Sequence, residues 1–228
     1  MDRRQFNKLC GGLLAGAAAS HSAANGTHTP FPASQLYFSD NSRVTLDSLE
    51  TGKAFIFSYP YRTTPCFLVK LADSAPAQGS WPGGLGDDQA VVAFSAICSH
   101  KMSHPAKPIS HISYRPEPVS FYDIDGKRQT REGMISCCSE RSVYDPAKAA
   151  TVLSGPAPLP LAAIALKNDK QGRLSAVGSI GPDQYDRFLT KFGFRLAMEY
   201  GVTDVRTRST DRVEVVAADI FSQQQVLC

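Results

Sequence analysis

Cys98-Ser99-His100 and Cys137-Cys138-Ser139-Glu140-Arg141-Ser142-Val143-Tyr144-Asp145 are the two stretches on which the fold and the chemistry of this chain turn. Each opens on a cysteine, and the first sets a histidine two positions on. A Cys-x-His pair on a tight loop directs a thiolate and an imidazole to adjacent metal positions, and a second loop must then supply the matching pair. Here the second loop offers Cys137 and, three positions on, Glu140. Further along, Gly155-Pro156-Ala157-Pro158-Leu159 forms a short segment stiffened by its prolines. A mononuclear zinc site on Cys98, His100 and Cys137 is the simpler alternative, with nothing in the sequence to favour it over iron.

Together these segments resemble the two ligand loops and the proline-rich cover loop of the Rieske 2Fe–2S family. Ser142-x-Tyr144-Asp145 matches the Ser-x-Tyr-Asp that follows the second ligand histidine there, which fixes the register and puts Glu140 at that histidine's place. The resemblance implies a 2Fe–2S cluster held by Cys98, His100, Cys137 and Glu140. It also implies that Ser142 and Tyr144 donate hydrogen bonds to cluster sulfurs, while Gly155, Pro156 and Pro158 shield the cluster from water. A carboxylate in place of a neutral imidazole adds a negative charge and disfavours an added electron. The expected potential therefore falls below the Rieske range of about −150 to +300 mV, towards the plant-type value of about −400 mV. Quinol oxidation, which uses the missing imidazole in quinone-reactive relatives, is disfavoured.

Other candidates stand beside Glu140. The long interval between His100 and Cys137 can fold His104 or His111 back towards the outer iron, whereas Cys138 points away from Cys137 if the chain there is extended. A further alternative leaves Glu140 solvated beside Arg141, with no cluster at all. Ser103 and Ser139 occupy the positions at which many Rieske proteins carry a loop-bridging disulfide, so the resemblance leaves these loops held by packing and cluster alone.

The wider resemblance is to the Rieske small subunit of arsenite oxidase and its relatives. It takes in Phe57-Ser58-Tyr59-Pro60, Pro65-Cys66, Gly83-Gly84-Leu85-Gly86-Asp87-Asp88 and Val91-Val92-Ala93-Phe94-Ser95, and ends near Gly181. It implies an electron-transfer subunit of a larger oxidoreductase or respiratory assembly, with a catalytic subunit or cytochrome c as redox partner. The alternatives are a cluster-free structural subunit of such an assembly and an independent carrier. No nucleophile–base set is visible, so the chain is not expected to be a catalyst itself, and no second domain offers the mononuclear iron of a ring-hydroxylating oxygenase.

The N-terminus, Met-Asp-Arg-Arg-Gln-Phe-Asn-Lys-Leu followed by the Gly/Ala-rich run Cys10–Ala19, resembles a twin-arginine export signal. The expected signal is residues 1–24, cleaved after Ala24, and the expected location is the periplasm, reached in the folded state. The apolar run is far shorter than the ~20 residues of a membrane span. Removing residues 1–24 takes away Arg3, Arg4, Lys8 and Asp2 from a net charge of +3, leaving 21 basic and 20 acidic residues. Such a balance gives no electrostatic case for nucleic acid or an anionic membrane. Five cysteines then remain, an odd number with no pairing implied by spacing. Cys66 reads as a buried strand residue, and Cys228, the last residue, as frayed.

Short β-rich runs at 54–59, 66–71, 90–97, 119–124, 133–137, 161–167 and 173–177 are separated by Gly, Pro and Asp turns. The expected fold is all-β: an antiparallel β sandwich with an inserted cluster-binding subdomain and a C-terminal helical extension. Residues 25–40 read as a leader, 25–182 as the domain with its cluster-binding part at about 94–160, and 183–228 as the extension. A hairpin is expected near Asp125-Gly126, and residues 74–88 read as a loop with Trp81 as a packing anchor. Tyr185, Phe188, Leu189, Phe192, Leu196 and Tyr200 recur at helical spacing, with Asp183 as cap and Gly201 as stop. Lys101 and Met102 lie where they would rim a docking surface or a solvated face.

Overall fold

Burial on both faces explains the near-continuous apolar runs of β2 (Ala54–Ser58), β3 (Pro65–Lys70) and β4 (Val91–Ser95). Side chains alternate across a strand. Cys66, Leu68, Val91 and Ala93 therefore point into one core, while Phe67, Val69, Val92 and Phe94 point into another. The computed structural model describes residues 27–228; the expected export signal lies outside them. The first core is the inside of a closed barrel, in the order β1-β12-β11-β4-β3-β2-β13. Its other strands are β1 (His28–Phe38), β11 (Ala163–Asn168), β12 (Leu174–Ile180) and β13 (Arg212–Ala217).

The second core joins the outer face of β2–β4 to a subdomain inserted between β4 and β11. This holds a four-stranded sheet ordered β10-β9-β8-β5 and a separate hairpin of β6 and β7. The sheet comprises β5 (Ile112–Arg115), β8 (Met134–Cys137), β9 (Ser142–Asp145) and β10 (Thr151–Ser154). The hairpin, β6 (Val119–Tyr122) and β7 (Arg128–Arg131), turns at Gly126 with φ +74°. Trp81 is buried against Phe94, centroids 5.7 Å apart, so the 74–88 loop anchors on this core.

The all-β expectation stands, with the main sheet closed into a barrel and one parallel pairing, β1 with β13. The leader reading of residues 25–40 is corrected: His28–Phe38 is a barrel strand. Its polar, proline-containing sequence is carried by pairing to β12 on one side and β13 on the other. The chain beyond residue 182 supplies β13 and so closes the barrel. Before it, α1 (Tyr185–Tyr200) buries Tyr185, Phe188, Leu189 and Leu196 against Ile97 and Met102. Gly201, at φ +60°, stops this helix in the left-handed conformation. A short helix, α2 (Ala218–Phe221), precedes the tail.

Candidate metal centre

Two tight turns present the cysteines. In the first, Met102 N–H donates to Cys98 O and Cys98 N–H donates to Ser103 O, both at 2.9 Å, closing residues 98–103 into a loop at the end of β4. In the second, β8 and β9 pair in register with Cys137 opposite Ser142, and the turn between them passes through Arg141 at φ +57°. The two buried thiols meet in hydrogen-bonding contact. Tyr144 reaches across to bring its Oη 3.2 Å from Cys98 Sγ, and also accepts from Ser99 N–H at 3.4 Å.

The Cys98 thiol is pulled down to about 6 by its hydrogen bond with Cys137, against burial, with help from Tyr144 and the backbone N–H groups of His100 and Lys101. Cys137 is pushed up by that same hydrogen bond, by burial and by the Cys98 charge. One proton thus stays between the two sulfurs, on Cys137, with Cys98 as the thiolate that Tyr144 and the backbone N–H groups face.

The remaining donors lie at the rim. His100 Nδ1 is 3.2 Å from Glu140 Oε2, and Lys101 Nζ is 3.3 Å from Glu140 Oε1. His100 and Glu140 are 27% and 41% exposed, so the buried pair is sulfur and the outer pair is nitrogen and oxygen. Two donors each ~2.0 Å from one tetrahedral metal stand about 3.3 Å apart, which matches the His100–Glu140 separation. Among the described residues no three His, Cys, Asp or Glu side chains converge as a single-metal group. The donors form a buried thiol pair and a His–Glu pair at the rim.

The cover segment is fastened to both loops. Ser99 Oγ donates to Leu159 O at 2.6 Å and accepts from Leu159 N–H at 3.3 Å. Gly155, at φ +85°, lies so close to the second loop that a Cβ there would stand 2.5 Å from Arg141 O and 2.6 Å from Ser142 Cα. Ala157 turns inward, while Gly155, Pro156 and Pro158 face out. Ser142 is buried beside Cys137 at the start of β9.

Several sequence readings change. His104 is not turned towards the site: its ring packs edge-on against Phe188 and Phe192 of α1, and Nδ1 lies 2.9 Å from Met102 O. His111 is exposed, and its backbone carbonyl accepts from Cys138 N–H at 2.7 Å. Cys138 is unavailable as a ligand because it forms a disulfide with Cys228, so the C-terminal residue is tied down rather than frayed. Glu140 pairs with His100 and Lys101, not with Arg141, and Met102 is buried rather than at a rim. Ser103 Oγ and Ser139 Oγ meet at 2.7 Å, a direct hydrogen bond between the loops. The sequence reading quoted Asp145 within the motif but gave it no role; it is wholly buried and takes Ala147 N–H at 3.1 Å and Arg131 Nη1 at 2.9 Å. A carboxylate ending an otherwise apolar strand was the available signal.

No family model matches the chain. It is 34% identical over 95 residues to iodate reductase subunit IdrB of Pseudomonas sp. (strain SCT), and 34% identical over 93 residues to the subunit of the same name from Denitromonas iodatirespirans. These matches take in 40% of this chain and 44% and 45% of the relatives, so it spans less than half the length of the curated relatives it matches. A solved structure, the soluble domain of Rieske protein II (soxF) from Sulfolobus acidocaldarius, is 24% identical. It has a TM-score of 0.45, covering 68% of this chain and 82% of that one. In this chain two loops set a thiol pair behind a rim pair, with a tyrosine on the sulfur and a Gly-Pro cover tied to both loops. This geometry is what the sequence's resemblance to the Rieske family implies. The comparisons do not single out the arsenite oxidase subunit that the sequence resembles.

Proposed function

We propose that this chain is a Rieske-type electron-transfer subunit of an oxidoreductase, with Cys98, Cys137, His100 and Glu140 as the ligands of a 2Fe–2S cluster. The observation that carries this reading is the buried Cys98–Cys137 pair, touched by Tyr144 and backed by a separate His100–Glu140 pair. When bound, the cluster supplies reversible one-electron chemistry. Cys98 and Cys137 would hold it from the buried side, where their burial excludes water. The Tyr144 hydroxyl and the N–H groups of His100 and Lys101 place positive dipole on Cys98 sulfur, which favours the reduced state. Glu140 at the rim works in the opposite sense, and Lys101 partly offsets its charge.

The partner proposed is a catalytic subunit that exchanges electrons with this chain, as the subunit names of the IdrB relatives suggest, with cytochrome c or a similar carrier on the other side. The exposed edge of His100, Glu140 and the Pro156–Pro158 cover is the natural contact surface. Export to the periplasm is supported by the Cys138–Cys228 disulfide, which persists in oxidising compartments. No helix among the described residues is long and apolar enough to cross a membrane.

A cluster-free structural subunit is the second reading, favoured by one observation: Glu140 already has His100 and Lys101 as partners without metal. Iron and acid-labile sulfide counts on anaerobically purified protein separate the two. About two irons and two sulfides per chain, with a reversible one-electron reduction, support electron transfer. Folded protein without either, from cells with working cluster assembly, supports the structural reading.

A further inference from the structure

We infer that the C-terminal tail, through Cys228, is the positioning clamp of the second ligand loop. This rests on the ligand set proposed above and extends it to residues at the far end of the chain. The loops are tied to each other directly by non-covalent contacts alone: the exposed Ser103–Ser139 hydrogen bond, the His100–Glu140 and Lys101–Glu140 pairs at the rim, and the Tyr144 and Cys137 contacts to Cys98. The tail supplies a larger one. After α2 it runs beside residues 106–110, the segment that leads from the first ligand loop to β5. Ser222 Oγ donates to Ala106 O, Gln223 N–H to Lys107 O and Val226 N–H to Ser110 O, while Ser110 N–H donates to Gln224 O, all at 2.8–2.9 Å. It then closes the Cys228–Cys138 disulfide, one residue past ligand Cys137, across a sequence separation of 90.

The chain thus gathers the exit of one ligand loop and the start of the other on a single covalent strap. The upstream part of that strap, β13, is fixed in the barrel. Breaking the disulfide frees the Cys138–Arg141 turn, which carries Glu140, while β8 and β9 remain paired. Cys138 and Cys228 are bonded to each other and belong to no proposed ligand set, so they act through the loop.

The test compares wild type, the double variant Cys138→Ser/Cys228→Ser, and that variant with Ser103→Cys/Ser139→Cys added. The 2.7 Å hydroxyl separation puts the two new side chains within disulfide reach. In iron-free protein, tryptic cleavage after exposed Arg141 should speed up about tenfold in the double variant, with cleavage after Lys170 unchanged. In iron-loaded protein, bleaching of the visible absorbance by a chelator should speed up similarly, and the reduced EPR signal should broaden. The new inter-loop disulfide should reverse all three changes.

Wild-type rates in the double variant would overturn the clamp, as would an inter-loop disulfide that forms and restores nothing. If the double variant does not fold, cleavage of iron-free wild type before and after dithiothreitol reduction gives the same comparison. If wild type takes up no iron, the ligand assignment fails, and cleavage after Arg141 still decides the clamp.

Discussion

Glu140 sets the electrostatics of the rim, because it stands 3.2 Å from the His100 nitrogen that would face the outer iron. A ligand carboxylate adds a negative charge that an imidazole does not. Glu140→His should therefore raise the reduction potential, by on the order of 100 mV, in an electrochemical titration; an unchanged potential would mean that Glu140 is not a ligand. Tyr144→Phe should act in reverse. Losing the hydroxyl 3.2 Å from Cys98 Sγ removes a donor that favours the reduced state, and the potential should fall by some tens of mV. These residues were legible because the motif that names them is short and local. The partners of Glu140 were not: Lys101 and His100 lie far from it in sequence, and the adjacent Arg141 turns away in a left-handed conformation. The Cys138–Cys228 bond was likewise beyond sequence spacing, since nothing local relates two cysteines that meet only through the fold.

The elements divide by whether their signal is periodic. α1 was legible from its apolar spacing and its glycine stop. β13 carried an alternating Val213 and Val215 that the reading passed over, and β1 carried almost none, since its pairing comes from neighbours remote in sequence. α1 also defines a pH response. His104 is buried against Phe188 and Phe192, and that burial holds its imidazole below the ordinary value, with Glu199 opposing and Arg195 adding to the shift. The unfolded chain thus takes up the proton first, so stability should fall as pH drops below about 6.5, the unperturbed value. His104→Phe should flatten that part of a plot of melting temperature against pH; an unaltered slope would assign the response elsewhere. At the cover segment, Gly155→Ala should cost about 1–3 kcal/mol, because it forces a Cβ into the Arg141–Ser142 backbone at a positive φ. Chemical denaturation measures it, and a variant as stable as wild type would show that the cover is not seated on the second loop.

At the scale of the whole molecule, the barrel and the subdomain share one structural wall. β2, β3 and β4 line the barrel with one face and back the candidate metal centre with the other, so Cys98 and Cys137 sit in the same core as Phe67 and Phe94. The chain after residue 182 is integral to this arrangement through β13. Ending the protein there should leave β1 and β2 with unpaired edges, and the product should lack the cooperative unfolding transition of wild type when followed by circular dichroism. The central claim is the ligand set, two thiolates with one histidine and one carboxylate, and its most direct test is pulsed EPR of the dithionite-reduced protein. One strongly coupled histidine nitrogen, lost in His100→Ala, is the expected result. Two such nitrogens would contradict Glu140 as the fourth ligand, and folded protein with no iron and no signal would contradict the cluster itself.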